Sequence, residues 1–148
     1  PAPDNDNIDR ATFISVSTAS FATTYTENTS GATTTPNDPN LECVSRQGYH
    51  TVWYRITPLV NSRLTVDTFG SDYDTVLAIW TGKRGGLNSI GCNDDSGGQS
   101  QSRLVVDVQA GVSYFIEIAG FSAESAGELV LNVYSVPSVP TATPTPTI

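Results

Sequence analysis

Residues 113–134, "SYFIEIAGFSAESAGELVLNVY", contain two runs in which apolar side chains recur at every second position, with a polar turn between them. This alternation is typical of β-strands that have one face on a core and the other in water. The side chains predicted to face the core are Tyr114, Ile116, Ile118, Leu129, Leu131 and Val133. By the same alternation, Glu117 is predicted to face solvent.

The period of two recurs along the chain in short segments bounded by turn-forming residues. Further strands are predicted at 12–18, 51–57, 63–69, 75–81 and 103–108, with a short one near 87–90. Residues 22–48, rich in Thr, Asn and Pro, are predicted to be mostly loop. Many short strands at regular spacing in 148 residues predict an all-β fold, a jelly-roll-like antiparallel β-sandwich.

The formal net charge of −8 argues against a nucleic-acid partner, because phosphate backbones attract basic surfaces. No apolar run is long enough to cross a bilayer, so membrane insertion is not expected. The acidic balance suits a secreted protein and supplies carboxylates for Ca²⁺, or it only keeps the protein soluble.

The chain ends in "VPSVPTATPTPTI", residues 136–148, which favours an extended, semi-rigid polyproline conformation. We therefore predict a β-sandwich domain over 1–135 and a Pro/Thr-rich linker over 136–148. Its threonines are candidates for O-glycosylation: Thr141, Thr143, Thr145 and Thr147. A linker of this kind predicts a module joined to neighbouring modules, or to copies of itself, through the N-terminus and the linker.

An acidic segment, "GCNDDSGGQSQS" (91–102), follows a predicted hairpin that turns near Arg84. Asp74 and Asp94 are equally far from that turn, so we expect them to lie side by side at one end, with Asp72 and Asp95 close by. The candidate metal ligands in this region are Asp72, Asp74, Asn93, Asp94 and Asp95, and oxygen ligands of this kind indicate Ca²⁺. The alternative is that these aspartates cap turns by accepting backbone N–H groups.

The N-terminal run "PDNDNID" offers two further candidate ligands, Asp4 and Asp6, just ahead of the first strand. It does not continue into an EF-hand pattern. The alternative is a solvated entry loop.

Two cysteines, Cys43 and Cys92, indicate one structural disulfide in an extracellular chain, or else two buried thiols. Catalysis is not expected, because a single histidine, His50, and the expected pairing of the cysteines leave no Ser-His-Asp or Cys-His set. Tyr73 and Trp80 are candidates for stacking on a ligand, if the alternation turns them outward; aromatic residues in strands are more often core.

The ordered combination of "DNDNIDRATFIS", "TVWYRIT", "RLTVDTFGSDYDTVLAIWTG", "IGCNDDSGG", "AGVSYFIEIAGF" and "GELVLNV" resembles the bacterial pre-peptidase C-terminal (PPC) domain. The resemblance runs from about Asp4 to Val133. It implies a small, non-catalytic jelly-roll module of secreted proteins, related to collagen-binding modules that bind Ca²⁺. It also supports pairing of Cys43 with Cys92.

Two functions are compatible with these features. The first is a Ca²⁺-binding structural or adhesive repeat unit of a secreted surface protein or extracellular fibre. The alternative is an accessory module that targets a secreted peptidase or other hydrolase to polysaccharide or collagen, which requires an exposed aromatic surface. Both place the protein outside the cell or at its surface, with an extracellular polysaccharide or protein matrix as a further partner.

Overall fold

The computed structural model describes residues 1–95 and 100–138, which form nine strands and one short 3₁₀ turn, Ile8–Arg10. The strands are β1 (Thr12–Phe13), β2 (Phe21–Asn28), β3 (Tyr49–Ile56), β4 (Ser62–Asp67), β5 (Thr75–Lys83), β6 (Gly86–Asn93), β7 (Arg103–Val108), β8 (Tyr114–Gly120) and β9 (Glu128–Pro137). Among the described residues there is no helix of the length and apolarity needed to cross a bilayer.

The strands form two sheets packed face to face, which confirms the predicted β-sandwich. One sheet has the order β1-β3-β8-β5-β6 and the other the order β2-β9-β4-β7. Chain-adjacent strands β2 and β3, β3 and β4, and β4 and β5 lie in opposite sheets, as in a jelly roll. Every described strand pair is antiparallel except β1 with β3, which is parallel.

Strand β2 corrects the sequence-based prediction, which assigned most of this region to a loop. Its register with β9 is unbroken over all eight residues. Threonine fits the pleated surface of a sheet, so the threonines here belong to a strand that a partner distant in sequence stabilises. The predicted first strand, 12–18, is in contrast reduced to the two residues of β1.

The main core lies between the sheets and contains all six side chains predicted from the opening stretch: Tyr114, Ile116, Ile118, Leu129, Leu131 and Val133. A second cluster covers the opposite face of the five-stranded sheet. It comprises Ile8, Leu41, Trp53, Val76, Ala78, Trp80, Phe115 and Ala119. The 3₁₀ turn and the segment 29–48 supply Ile8 and Leu41 to this cluster, so both segments pack as an outer layer on the sheet.

Glu117 lies on β8 beneath this outer layer and is fully buried, so the prediction that it faces solvent is wrong. Its position on β8 is opposite Trp53 of β3 and Ala78 of β5. The Nε1–H of Trp80 donates to Glu117 Oε1 at 3.0 Å. Burial, together with the charge of Asp38, raises the pKa of Glu117 well above its usual value, and the Trp80 hydrogen bond opposes this.

The last strand continues to Pro137, two residues beyond the domain boundary predicted at 135. Val136 and Pro137 pair with β4, and the Ser138 amide donates to Asn61 O at 2.7 Å. The candidate O-glycosylation sites Thr141, Thr143, Thr145 and Thr147 lie outside the described residues.

Candidate functional site

Three of the predicted metal ligands converge at one end of the β5–β6 hairpin. Asp74 immediately precedes β5, while Asp94 and Asp95 immediately follow β6. The two strands are antiparallel neighbours, so the start of one lies beside the end of the other. One carboxylate oxygen from each of the three residues lies within 4.8 Å of the other two. The hairpin argument therefore placed these three side chains correctly. The next residues of the acidic loop, 96–99, lie outside the described residues.

The surroundings of this carboxylate trio (Asp74, Asp94 and Asp95) disfavour negative charge. Burial, followed by the charges of Asp95 and Asp94, raises the pKa of Asp74 to about 6. Burial and the Asp95 charge also raise the pKa of Asp94, while the Arg46 charge opposes the rise. Asp74 Oδ1 and Asp94 Oδ1 are buried and have no hydrogen-bond partner among the described residues. A buried carboxylate oxygen without a donor is costly, and either a proton or a bound cation would offset that cost.

Backbone contacts and a covalent bond hold this end of the hairpin in place. The Phe121 amide donates to Asp74 O at 3.0 Å, and the Ser102 hydroxyl donates to Asp94 O. Cys43 and Cys92 form the predicted disulfide, with their Cα atoms 5.6 Å apart. The bond joins the 29–48 segment to the end of β6, next to the trio.

Two other predicted ligands have different partners. The Asp72 carboxylate accepts the Glu128 N–H at 2.9 Å, at the start of β9. Asn93 Oδ1 accepts the Arg103 N–H at 3.0 Å. Asp72 is not part of the trio. Its hydrogen bond from the Glu128 N–H is instead a backbone-capping contact, the alternative to metal binding.

The N-terminal candidates also lie apart from the trio. The Asp6 carboxylate accepts hydrogen bonds from both the amide and the hydroxyl of Thr33, and Asp4 is exposed. Between them, Asn5 is buried and donates from its side chain to Glu27 Oε1 at 2.7 Å and to Trp53 O at 3.1 Å. The segment that resembles a loop of ligands is therefore packed between β2 and β3.

The prediction that Tyr73 and Trp80 are exposed for stacking is wrong. Tyr73 is only 7% exposed and belongs to the main core, and Trp80 is 5% exposed and belongs to the outer cluster. Trp80 does lie on the face of the sheet that points away from the main core. The outer layer covers that face, and strand alternation carries no information about such a layer.

Sequence reasoning missed an exposed group in which the guanidinium of Arg46 lies against two aromatic rings. Its central carbon is 5.4 Å from the centre of the Tyr49 ring and 5.1 Å from that of Phe121. Arg46 and Phe121 are 75 residues apart, and no local pattern in the sequence signals a contact over that distance.

A scan against protein-family models finds no match for the chain, and a search of curated proteins finds no relative. Solved structures do match. The pre-peptidase C-terminal domain of a Bacillus anthracis collagenase is 10% identical, with 83% of this chain and 93% of that one covered and a TM-score of 0.52. Aeromonas hydrophila PliG, a periplasmic inhibitor of g-type lysozyme, is 15% identical, with coverage of 85% and 94% and a TM-score of 0.48. A Yersinia pseudotuberculosis-derived mitogen is 15% identical, with coverage of 84% and 92% and a TM-score of 0.44. The likeness to the pre-peptidase C-terminal domain is one of fold.

Proposed function

We propose that this chain is a non-catalytic extracellular module of the PPC type that binds Ca²⁺ at Asp74, Asp94 and Asp95. In this role it serves as a structural or adhesive unit of a secreted surface protein or fibre. The observation that carries the proposal is the convergence of three carboxylates within 4.8 Å, two of them with a buried oxygen that has no donor among the described residues.

The chemistry of the trio favours a hard divalent cation. Its ligand atoms are all carboxylate oxygens, without the imidazole or thiolate groups that select zinc or copper. A bound Ca²⁺ offsets the repulsion among the three charges and supplies the missing partner for the buried oxygens. Because the trio joins the start of β5 to the end of β6, the cation also stabilises this end of the sandwich.

Other features support a non-catalytic role outside the cell. The disulfide suits an oxidising compartment. Both ring nitrogens of His50, the only histidine, lie at backbone carbonyls: Nδ1 is 3.1 Å from Ala32 O and Nε2 is 2.8 Å from Ala123 O. These contacts occupy the group that most often serves as a general base.

Calorimetric titration and thermal unfolding, each with and without Ca²⁺, test the cation proposal. We expect Ca²⁺ at 100 times its dissociation constant to stabilise the protein by about 2.7 kcal/mol. Asp74→Asn removes one ligand charge and is expected to lose most of that gain. Asp72→Asn is the matched control: it also removes one aspartate charge, but it keeps an oxygen for the Glu128 amide. An equal gain in both variants, or no heat of binding in the wild type, would contradict the proposal.

Ca²⁺ affinity is also expected to depend on pH. Because the pKa of Asp74 is raised to about 6, a proton competes with the cation below that pH. The dissociation constant measured at pH 5 is therefore expected to exceed the one at pH 7 several-fold in the wild type. In Asp74→Asn this contribution is absent, so a pH dependence equal to that of the wild type would contradict the assignment.

A further inference from the structure

The Arg46 guanidinium lies over two exposed aromatic rings, those of Tyr49 and Phe121. Tyr49 is at the start of β3 and Phe121 comes just after β8. Tyr49 is 40% exposed and Phe121 is 37% exposed. Register places Tyr49 opposite Gly120, so the two aromatic residues are neighbours across β3 and β8. We call Arg46, Tyr49 and Phe121 the aromatic platform.

The backbone under the platform is held firmly. The Arg46 side chain donates to Gln47 O at 3.0 Å and to Phe121 O, and these two hydrogen bonds hold the guanidinium near both rings. A Cβ at Gly48 would overlap the Cβ of Ala119, so this part of the chain lies directly on β8. A ligand would therefore meet an Arg46 side chain that two hydrogen bonds already hold, which lowers the entropic cost of binding.

An open pocket of about 550 Å³ adjoins the platform, between residues 32–34 and residues 46–50. This volume is within the range of small-ligand sites. Arg46 and Tyr49 belong to its wall, so a molecule that rests on the rings can extend into the pocket. Contacts with the described residues use two of the five N–H donors of Arg46, and the guanidinium is only partly buried.

We propose that the aromatic platform and its pocket bind a neutral polysaccharide. Pyranose rings present C–H groups on their faces, which pack on aromatic rings, and hydroxyl groups at their edges, which accept hydrogen bonds from a guanidinium. Tyr49 and Phe121 supply the apolar surface, and Arg46 supplies the donors.

Charge selects a neutral polymer over an acidic one. The chain carries a net charge of −8, and Asp94 is close enough to Arg46 for the two charges to interact. An acidic polysaccharide is therefore repelled by the protein as a whole and competes with Asp94 for the one cationic group of the platform.

Sedimentation with insoluble polymers tests the proposal, and EDTA is present throughout so that the result is independent of Ca²⁺ binding. The neutral polymers are cellulose, chitin and β-1,3-glucan; polygalacturonate and collagen fibrils are the acidic and protein alternatives. The variants are Tyr49→Ala/Phe121→Ala and, as a milder change that keeps apolar volume, Phe121→Leu. Tyr134→Ala is the matched control, because Tyr134 is 43% exposed but lies on β9, in the other sheet.

We expect the wild type and Tyr134→Ala to bind at least one neutral polymer with equal affinity. The double variant is expected to bind at least tenfold more weakly, and Phe121→Leu several-fold more weakly with an unchanged unfolding midpoint. If the double variant does not fold, Phe121→Leu decides. The proposal is overturned by no retention on any neutral polymer, by retention only on polygalacturonate or collagen, or by equal retention of wild type and platform variants.

Discussion

Replacing both cysteines by serine is expected to lower the free energy of unfolding by about 4 kcal/mol. Cys43 and Cys92 are 49 positions apart, and the loop they close contains β3, β4, β5 and most of β6. Fixing the ends of a loop of this length removes roughly 14 cal/mol/K of entropy from the unfolded chain, which is about 4 kcal/mol at 25 °C.

The folded state is expected to survive the change. Leu41 stays fully buried beneath the segment that the disulfide ties down, and its amide donates to Arg46 O at 2.9 Å. The Cys43 amide donates to Cys92 Sγ at 3.2 Å, and a serine oxygen at position 92 can still accept a hydrogen bond. A domain of ordinary stability, about 5–15 kcal/mol, would therefore remain folded but lose a large share of its margin.

Urea unfolding of the oxidised wild type, the reduced wild type and Cys43→Ser/Cys92→Ser measures the effect. In thermal unfolding of the same proteins, the midpoint of the variant is expected to lie roughly 10–15 °C below that of the oxidised wild type. The urea m-value is expected to rise, because an unfolded chain without the cross-link exposes more surface. A loss below about 1 kcal/mol, with an unchanged m-value, would refute the loop-entropy reasoning.

Two further predictions concern buried polar groups. The pKa of Glu117 is raised in the folded state, so wild-type stability is fully present below about pH 4.5 and falls as the pH rises toward the folded value. Glu117→Gln keeps an oxygen for Trp80 Nε1 and removes this titration, so its stability relative to wild type is expected to increase between pH 4.5 and pH 7.5, measured by urea unfolding. Equal pH dependence in the two proteins would contradict this, and exposed Glu42→Gln is the control. Asn5→Ala removes one buried and one part-buried hydrogen bond and is expected to cost about 2 kcal/mol in the same assay, whereas exposed Asn40→Ala is expected to cost less than about 0.5 kcal/mol. A loss in Asn5→Ala as small as that of the control would show that the N-terminal segment does not support the sheet.

Local patterns in the sequence predicted much of the fold. Strand β7 begins and ends at the predicted residues, and β5 begins at the predicted residue. Strand alternation identified the core face of β8 and β9, since a side chain's face follows from its position along a strand. The hairpin predicted near Arg84 likewise brought Asp74 and Asp94 to the same end of two neighbouring strands. A register shift between Ile79 and Trp80 pairs Leu77 with Asn93, so the observed pairing is not symmetric about Arg84.

Contacts between segments far apart in sequence limited the prediction of the site. Asp72 and Asp94 are equally acidic in the sequence, but the Asp72 carboxylate accepts a hydrogen bond from the start of β9, whereas Asp94 follows the end of β6 and belongs to the trio. The same limit hid β2, whose residues pair with β9 about one hundred positions later.

The sequence by itself determined the β-sandwich class, six of the side chains between the sheets, the two cysteines available for a disulfide and the proximity of Asp74 to Asp94. These features follow from a period of two, from one turn and from a pair of cysteines, all of which are visible in short stretches of chain. Only the tertiary structure decided which outward faces stay exposed. The outer layer of the 3₁₀ turn and the 29–48 segment buries Trp80 and Glu117, whereas it leaves Tyr49 and Phe121 at the surface around Arg46. The physical reason is that burial of a strand's second face depends on what packs over it, and a strand's own residues do not specify that partner.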